Sequence, residues 1–103
     1  MKVVLQITNM FENTIIAASD KNNTFIINSK KVSYDAKKFV DTLRGLLLSW
    51  DRKYIGPQTL DGETCEILLS NGTDERMYRC SNSFPKNYAE LKELIEEVKK
   101  CVK

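Results

Sequence analysis

DAKKFVDTLRGLLLSWDRKYIGPQTLDGE, from Asp35 to Glu63, is where the period of the chain changes. Ala36, Phe39, Val40, Leu43, Leu46, Leu47 and Trp50 recur at steps of three and four residues. At about 100° per residue these positions fall on one stripe, and Ser33 or Asp35 can cap its start. The spacing predicts an amphipathic helix from Asp35 to about Asp51, with Trp50, the only tryptophan, as its last core anchor. Leu48 lies roughly 100° from the middle of the stripe, on the side of Lys37, Asp41, Arg44 and Arg52. It is expected at the surface unless the following segment or a neighbouring protomer covers it. In the connector from Arg52 to Asp61, Gly56-Pro57 stops helix propagation, Asp61-Gly62 turns the chain into the next element, and Tyr54 and Ile55 are the expected pegs.

Upstream of the helix the period is two. Val3, Leu5 and Ile7 alternate with Val4, Gln6 and Thr8, as in a half-buried strand, and NTIIAA (13–18) and TFIIN (24–28) flank the polar loop SDKNN as a hairpin. Downstream, Glu63 to Ser70 and Glu75 to Cys80 flank SNGTD, whose Asn71-Gly72 is a strong hairpin signal. A two-residue and a four-residue loop give the same facing parity. Cys65, Ile67 and Leu69 share the core face with Arg76, Tyr78 and Cys80, while Glu66, Leu68, Glu75, Met77 and Arg79 take the other. The longer loop would set Cys65 opposite Cys80 and Glu66 opposite Arg79.

SNSFPKNYAELKELIEEVKKCVK (81–103) reads as a second helix, with Phe84 and Pro85 setting its approach and Asn87 and Glu90 forming a capping-box-like pair. Its stripe is Tyr88, Leu91, Leu94, Ile95, Val98 and Val102, with a Glu96–Lys100 pair on the wet side. Glu90 near its start and Lys99, Lys100 and Lys103 near its end suit the macrodipole. The order βββαββα gives a two-layer α+β fold. The expectation is an antiparallel sheet of four to five strands with two helices on one face, as a single domain over residues 1–103.

The composition excludes much familiar chemistry. No apolar run approaches the ~20 residues of a membrane span, and MKVVLQITNM reads as a strand rather than a signal peptide, so a cytoplasmic protein is expected. With no histidine, imidazole-based nucleophile pairs and imidazole zinc sites are ruled out. Cys65, Cys80 and Cys101 are odd in number and lack CxxC spacing, so they read as reduced thiols, with Cys65 and Cys80 facing each other. Neither GxGxxG nor GxxxxGK occurs, the Asp61–Glu63 run lacks calcium-loop spacing, and acid pairs such as Asp74/Glu75 and Glu96/Glu97 read as solvated. No catalytic residue, cofactor or metal is expected. A net charge of +2 is too small to draw nucleic acid by itself.

LDGETCEILLSNG followed by NSFPKNYAELKELI resembles small, mostly uncharacterised proteins of low-GC Gram-positive bacteria and their mobile elements, over Trp50 to about Val98. The resemblance implies a compact domain and carries no catalytic residues across. With the exclusions above, it points to a non-enzymatic module whose partner is another protein. An inhibitor or immunity-type role is expected, anti-defence proteins such as anti-CRISPRs included. Arg44, Leu48 and Arg52 are the expected docking residues, one apolar group flanked by two guanidinium groups at four-residue steps. The alternative is a nucleic-acid-associated accessory protein that uses Lys30, Lys31, Lys37 and Lys38. A homodimer is compatible with either.

Overall fold

The computed structural model describes residues 1–57 and 62–101. Seven strands and two helices follow one another as β1 (Lys2–Thr8), β2 (Asn13–Ser19), β3 (Thr24–Ile27), β4 (Lys30–Lys31), α1 (Ala36–Leu47), β5 (Lys53–Ile55), β6 (Thr64–Asn71), β7 (Asp74–Ser81) and α2 (Tyr88–Lys99). They make an α+β fold with one sheet in the order β4-β3-β2-β1-β6-β7-β5.

The expected four to five antiparallel strands become seven in a mixed sheet. The two additions are the edges. Lys30–Lys31 pairs with β3, and Lys53–Ile55 runs parallel to β7. Both are too short to show a period, and each exists because a longer neighbour offers it a free edge. Tyr54 and Ile55 are thus strand residues rather than pegs of an irregular connector. Gly56 follows at a place where a side chain would strike the backbone carbonyl of Asn82, and its amide donates to the Ser81 carbonyl at 2.7 Å. Asp61, proposed to turn the chain there, lies outside the described residues, as do Val102 and Lys103.

The β6–β7 register is the one expected of the longer loop. Cys65 faces Cys80 and Glu66 faces Arg79, and pairing continues to Asn71–Asp74 so that only Gly72 and Thr73 turn. Gly72 takes a φ of 70°, which glycine adopts without strain. Both facing thiols are buried and free. Burial pushes their pKa values up, to about 12 at Cys65 and about 11 at Cys80, which makes them inert.

One parity of every long strand joins the core. Val3, Leu5, Ile7, Ile16, Ala18, Phe25, Ile27, Cys65, Ile67, Leu69, Tyr78 and Cys80 meet the stripes of α1 and α2 in one cluster. The opposite parity carries no helix. Val4, Ile15, Ile26 and Met77 stand exposed there. A sheet covered on one side only is the ordinary two-layer solution for antiparallel strands.

The carboxylate of Asp35 accepts from the amides of Lys37 and Lys38, which caps α1. The helix stops at Leu47, short of the expected Asp51, and Trp50 turns back beyond its end with its amide on the Leu47 carbonyl. Asn87 explains the stop. Its side-chain oxygen accepts from the Trp50 indole and its amide donates to the Leu46 carbonyl, so it ties the end of α1 to the start of α2. The expected capping box is therefore absent, because the Asn87 side chain is spent on α1 and makes no cap bond to α2. Glu96 likewise pairs with Lys99, not Lys100, and Lys99 also reaches Glu12.

Candidate arginine groove

Two elements end beside each other on the helix side of the sheet, at the β6–β7 hairpin end. The last turn of α1 supplies Arg44, Leu48 is its C-cap residue, and the chain after it supplies Trp50 and Arg52. From the sheet come Leu69, Arg76 and Tyr78. Together with Asp41 these residues line a groove of about 490 Å³. A neighbouring depression of about 400 Å³ shares Arg44, Arg52, Leu69 and Arg76 and adds Asn71, Asp74 and Glu75.

All three residues expected to dock a partner line this groove. Leu48 is 88% exposed, so nothing in the described chain covers it. Its position follows from the helical angle, since it stands off the buried stripe of Phe39, Val40, Leu43 and Leu47. Arg52 gets there by another route. It is not on the helix face, because α1 has already ended; it reaches the groove from the bend before β5, with its guanidinium 5.7 Å from the centre of the Tyr78 ring. Trp50 lies under the groove, 8% exposed, its ring edge-on to Tyr54 and Tyr78.

Arg76 and Tyr78 were not among the expected docking residues. A signal did exist. Arg76 sits on the core parity of β7, and a charge there can only stand where the helix layer ends. Among the described residues, no carboxylate is within ion-pairing distance of Arg44, Arg52 or Arg76. Three cations and one anion, Asp41, thus line the groove, around one exposed leucine and an aromatic floor. The arrangement can hold carboxylates or phosphates by charge and by planar N–H donors.

The lysines of the alternative reading are spread over two elements. Lys30 and Lys31 form the edge strand β4, on opposite parities, while Lys37 and Lys38 occupy the first turn of α1. Lys38 lies over the Tyr34 ring at 5.7 Å. No row of stacking aromatics accompanies them, and each is exposed.

A second polar cluster forms at the opposite end of the β6–β7 hairpin. Asn9 and Lys92 donate to one carboxylate oxygen of Glu63 at 2.8 and 2.9 Å, and the Tyr88 hydroxyl donates to the other at 2.6 Å. Burial would raise the Glu63 pKa, but the bonds from Lys92, Tyr88 and Asn9 outweigh it and hold the carboxyl below its ordinary value. Burial and the bond to Glu63 push the Tyr88 hydroxyl well up, so it stays a proton donor. Every strong group here has a partner. Among the described residues no helix is long and apolar enough to cross a membrane, and no three acids or thiols gather in a metal-holding cluster. In comparison with known proteins, the chain matches no family model, no curated protein and no solved structure.

Proposed function

We propose that this protein is a small binding module that docks an acidic surface of another protein into the Arg44–Leu48–Arg52–Arg76 groove. The observation that carries the reading is the gathering of three arginines, with no carboxylate partner among the described residues, around a leucine that is 88% exposed. A monomeric fold gains nothing from that arrangement, because clustered like charges repel and an exposed leucine contributes no burial. In a complex the same groups become an anchor. Leu48 offers the apolar centre, the three arginines bind carboxylates in a fork, and the Trp50 and Tyr78 rings hold the floor rigid. Blocking another protein's surface needs no chemistry of its own, which agrees with an inhibitor or immunity-type role in a mobile genetic element, anti-defence included.

Leu48→Glu tests the reading. A charge at this position should leave the melting temperature within about a degree or two, since surface substitutions cost little. It should nevertheless abolish retention of the protein that the wild-type chain captures from cells of its source. A large fall in melting temperature would mean that Leu48 is structural. Equal capture by wild type and variant would move the site elsewhere. Capture of nucleic acid instead, collapsing as salt is raised, would favour the Lys30, Lys31, Lys37 and Lys38 reading.

A further inference from the structure

Of the eight large apolar residues that stand exposed in the described chain, five share the helix-free face of the sheet: Val4, Ile15, Ile26, Ile55 and Met77. Their placement is ordered. Ile26 pairs with Ala17, Ala17 with Val4, Val4 with Leu68 and Leu68 with Met77, so one uncharged row crosses five adjacent strands. Charges lie in the rows on either side. Glu75 stands one row toward the hairpin end, in line with Ser70 and Lys2; Arg79 stands one row the other way, in line with Glu66 and Gln6.

We propose that this face binds a second copy of the chain, sheet to sheet, about a twofold axis lying along the Ile26–Met77 row. The inference does not rest on the arginine groove, which is on the other side of the sheet. The argument is charge complementarity. Rotation about that axis sets each residue of the row against its own counterpart and exchanges the flanking rows. Along β7 the exchange brings Arg79 of each copy against Glu75 of the other, twice, because both stand two residues from Met77. Glu66 meets Ser70 and Lys2 meets Gln6; the like charges that do meet are the two Lys31 ammonium groups, since Lys31 continues the row beyond Ile26, and they stand exposed at the β4 edge, outside the five-strand contact. A twofold contact must be self-complementary in just this sense.

The edges of the sheet point the same way. β4 is two lysines and β5 ends at Gly56-Pro57, so both edges are short and guarded, and association by strand addition is disfavoured. The face remains. Five strands at ~4.8 Å and three rows of same-side residues at ~6.7 Å give about 480 Å² per copy, near 1,000 Å² in all, the low end for a specific contact. The dimer is therefore weak and concentration-dependent.

Sedimentation velocity from micromolar to near-millimolar protein reads this directly. The average mass should climb from the 11.9 kDa monomer toward twice that value. Met77→Lys should keep the chain monomeric with an unchanged circular dichroism spectrum, and a lysine at Val4 should do the same. The charge exchange is the sharper arm. Glu75→Lys and Arg79→Glu should each weaken self-association by about tenfold or more, because like charges then face across the axis. Mixed together, the two variants should associate again, since each supplies the charge that the other lacks. A monomer at every concentration would overturn the proposal and leave the face to a different molecule. So would a dimer indifferent to Met77→Lys, or a mixture of the charge variants that stays monomeric.

Discussion

At one end of the β6–β7 hairpin a single carboxylate, Glu63, is held by an amide, a phenol and an ammonium group; at the other end three guanidinium groups gather with no carboxylate among the described residues within ion-pairing distance. Both places are polar and both join the helix layer to the sheet. They differ in what is left over. Around Glu63 each hydrogen-bonding group has been spent on holding Asn9, Tyr88 and Lys92 together, so β1, β6 and α2 are locked in one arrangement. Around Arg44, Arg52 and Arg76 the guanidinium groups stand on exposed residues and form no ion pair among the described residues, so their interaction energy is still available to a partner. Charge that is satisfied within the fold is architecture, and charge left unsatisfied at a groove is capacity to bind.

Trp50 is where the two regions meet, and it should show the largest effect. Its ring floors the groove, and its indole N–H donates to Asn87, which holds the start of α2 close to Tyr88. Trp50→Ala should cost about 3 to 5 kcal/mol, as loss of a large core side chain does, read by denaturant unfolding. Unchanged stability would mean that the groove floor is an independent surface, and the contrast between a spent region and an unspent one would lose its common anchor.

Glu63→Gln probes the satisfied end. Hydrogen bonds to a charged group are lost or weakened while the donors stay in place, so a cost of about 1 to 3 kcal/mol at neutral pH is expected. The pH dependence has a definite sign. A carboxyl held below its ordinary value stabilises the fold fully above about pH 4.3, the unfolded value, and the contribution is lost as pH falls through the lower folded value. Wild-type protein should therefore lose stability in acid more steeply than Glu63→Gln. Asp20, lowered chiefly by its bond to the N-terminal ammonium group, keeps a residual slope in both. Parallel pH profiles would show that Glu63 is not the group that titrates with folding.

How much of this could be read before the fold was known follows from the range of the interactions concerned. The α1 stripe, the alternation of β1 and the Cys65–Cys80 register are local patterns, and a repeat of two or of three to four residues announces each. The exposure of Leu48 is also local, being an angle on one helix. β4 and β5 carry no such pattern, because two or three residues become a strand only when an existing edge pairs with them. Asn87 departs from its expected capping role for a related reason. Asn followed three residues later by Glu looks like a cap, but tertiary partners, Trp50 and the Leu46 carbonyl, took the side chain. The groove itself required knowing that the end of α1 stops above Leu69 and Tyr78, which brings Arg76 beside Arg44 from more than one element away.

The smallest expected effect is the most direct test of the contrast. Arg76 stands exposed on β7 with no ion-pair partner among the described residues, so Arg76→Gln removes a charge without orphaning another. Stability should change by no more than about 0.5 kcal/mol, in line with surface sites that make no specific contact. The sign can be argued as well. Arg44 and Arg52 share the groove with Arg76, and relieving one of three neighbouring positive charges favours the folded state slightly. Added salt should therefore stabilise the wild-type protein a little, by screening that repulsion, and do less for the variant. A loss of more than about 1 kcal/mol would instead show that Arg76 works for the fold as Glu63 does, and the groove would no longer be the place where charge is held in reserve.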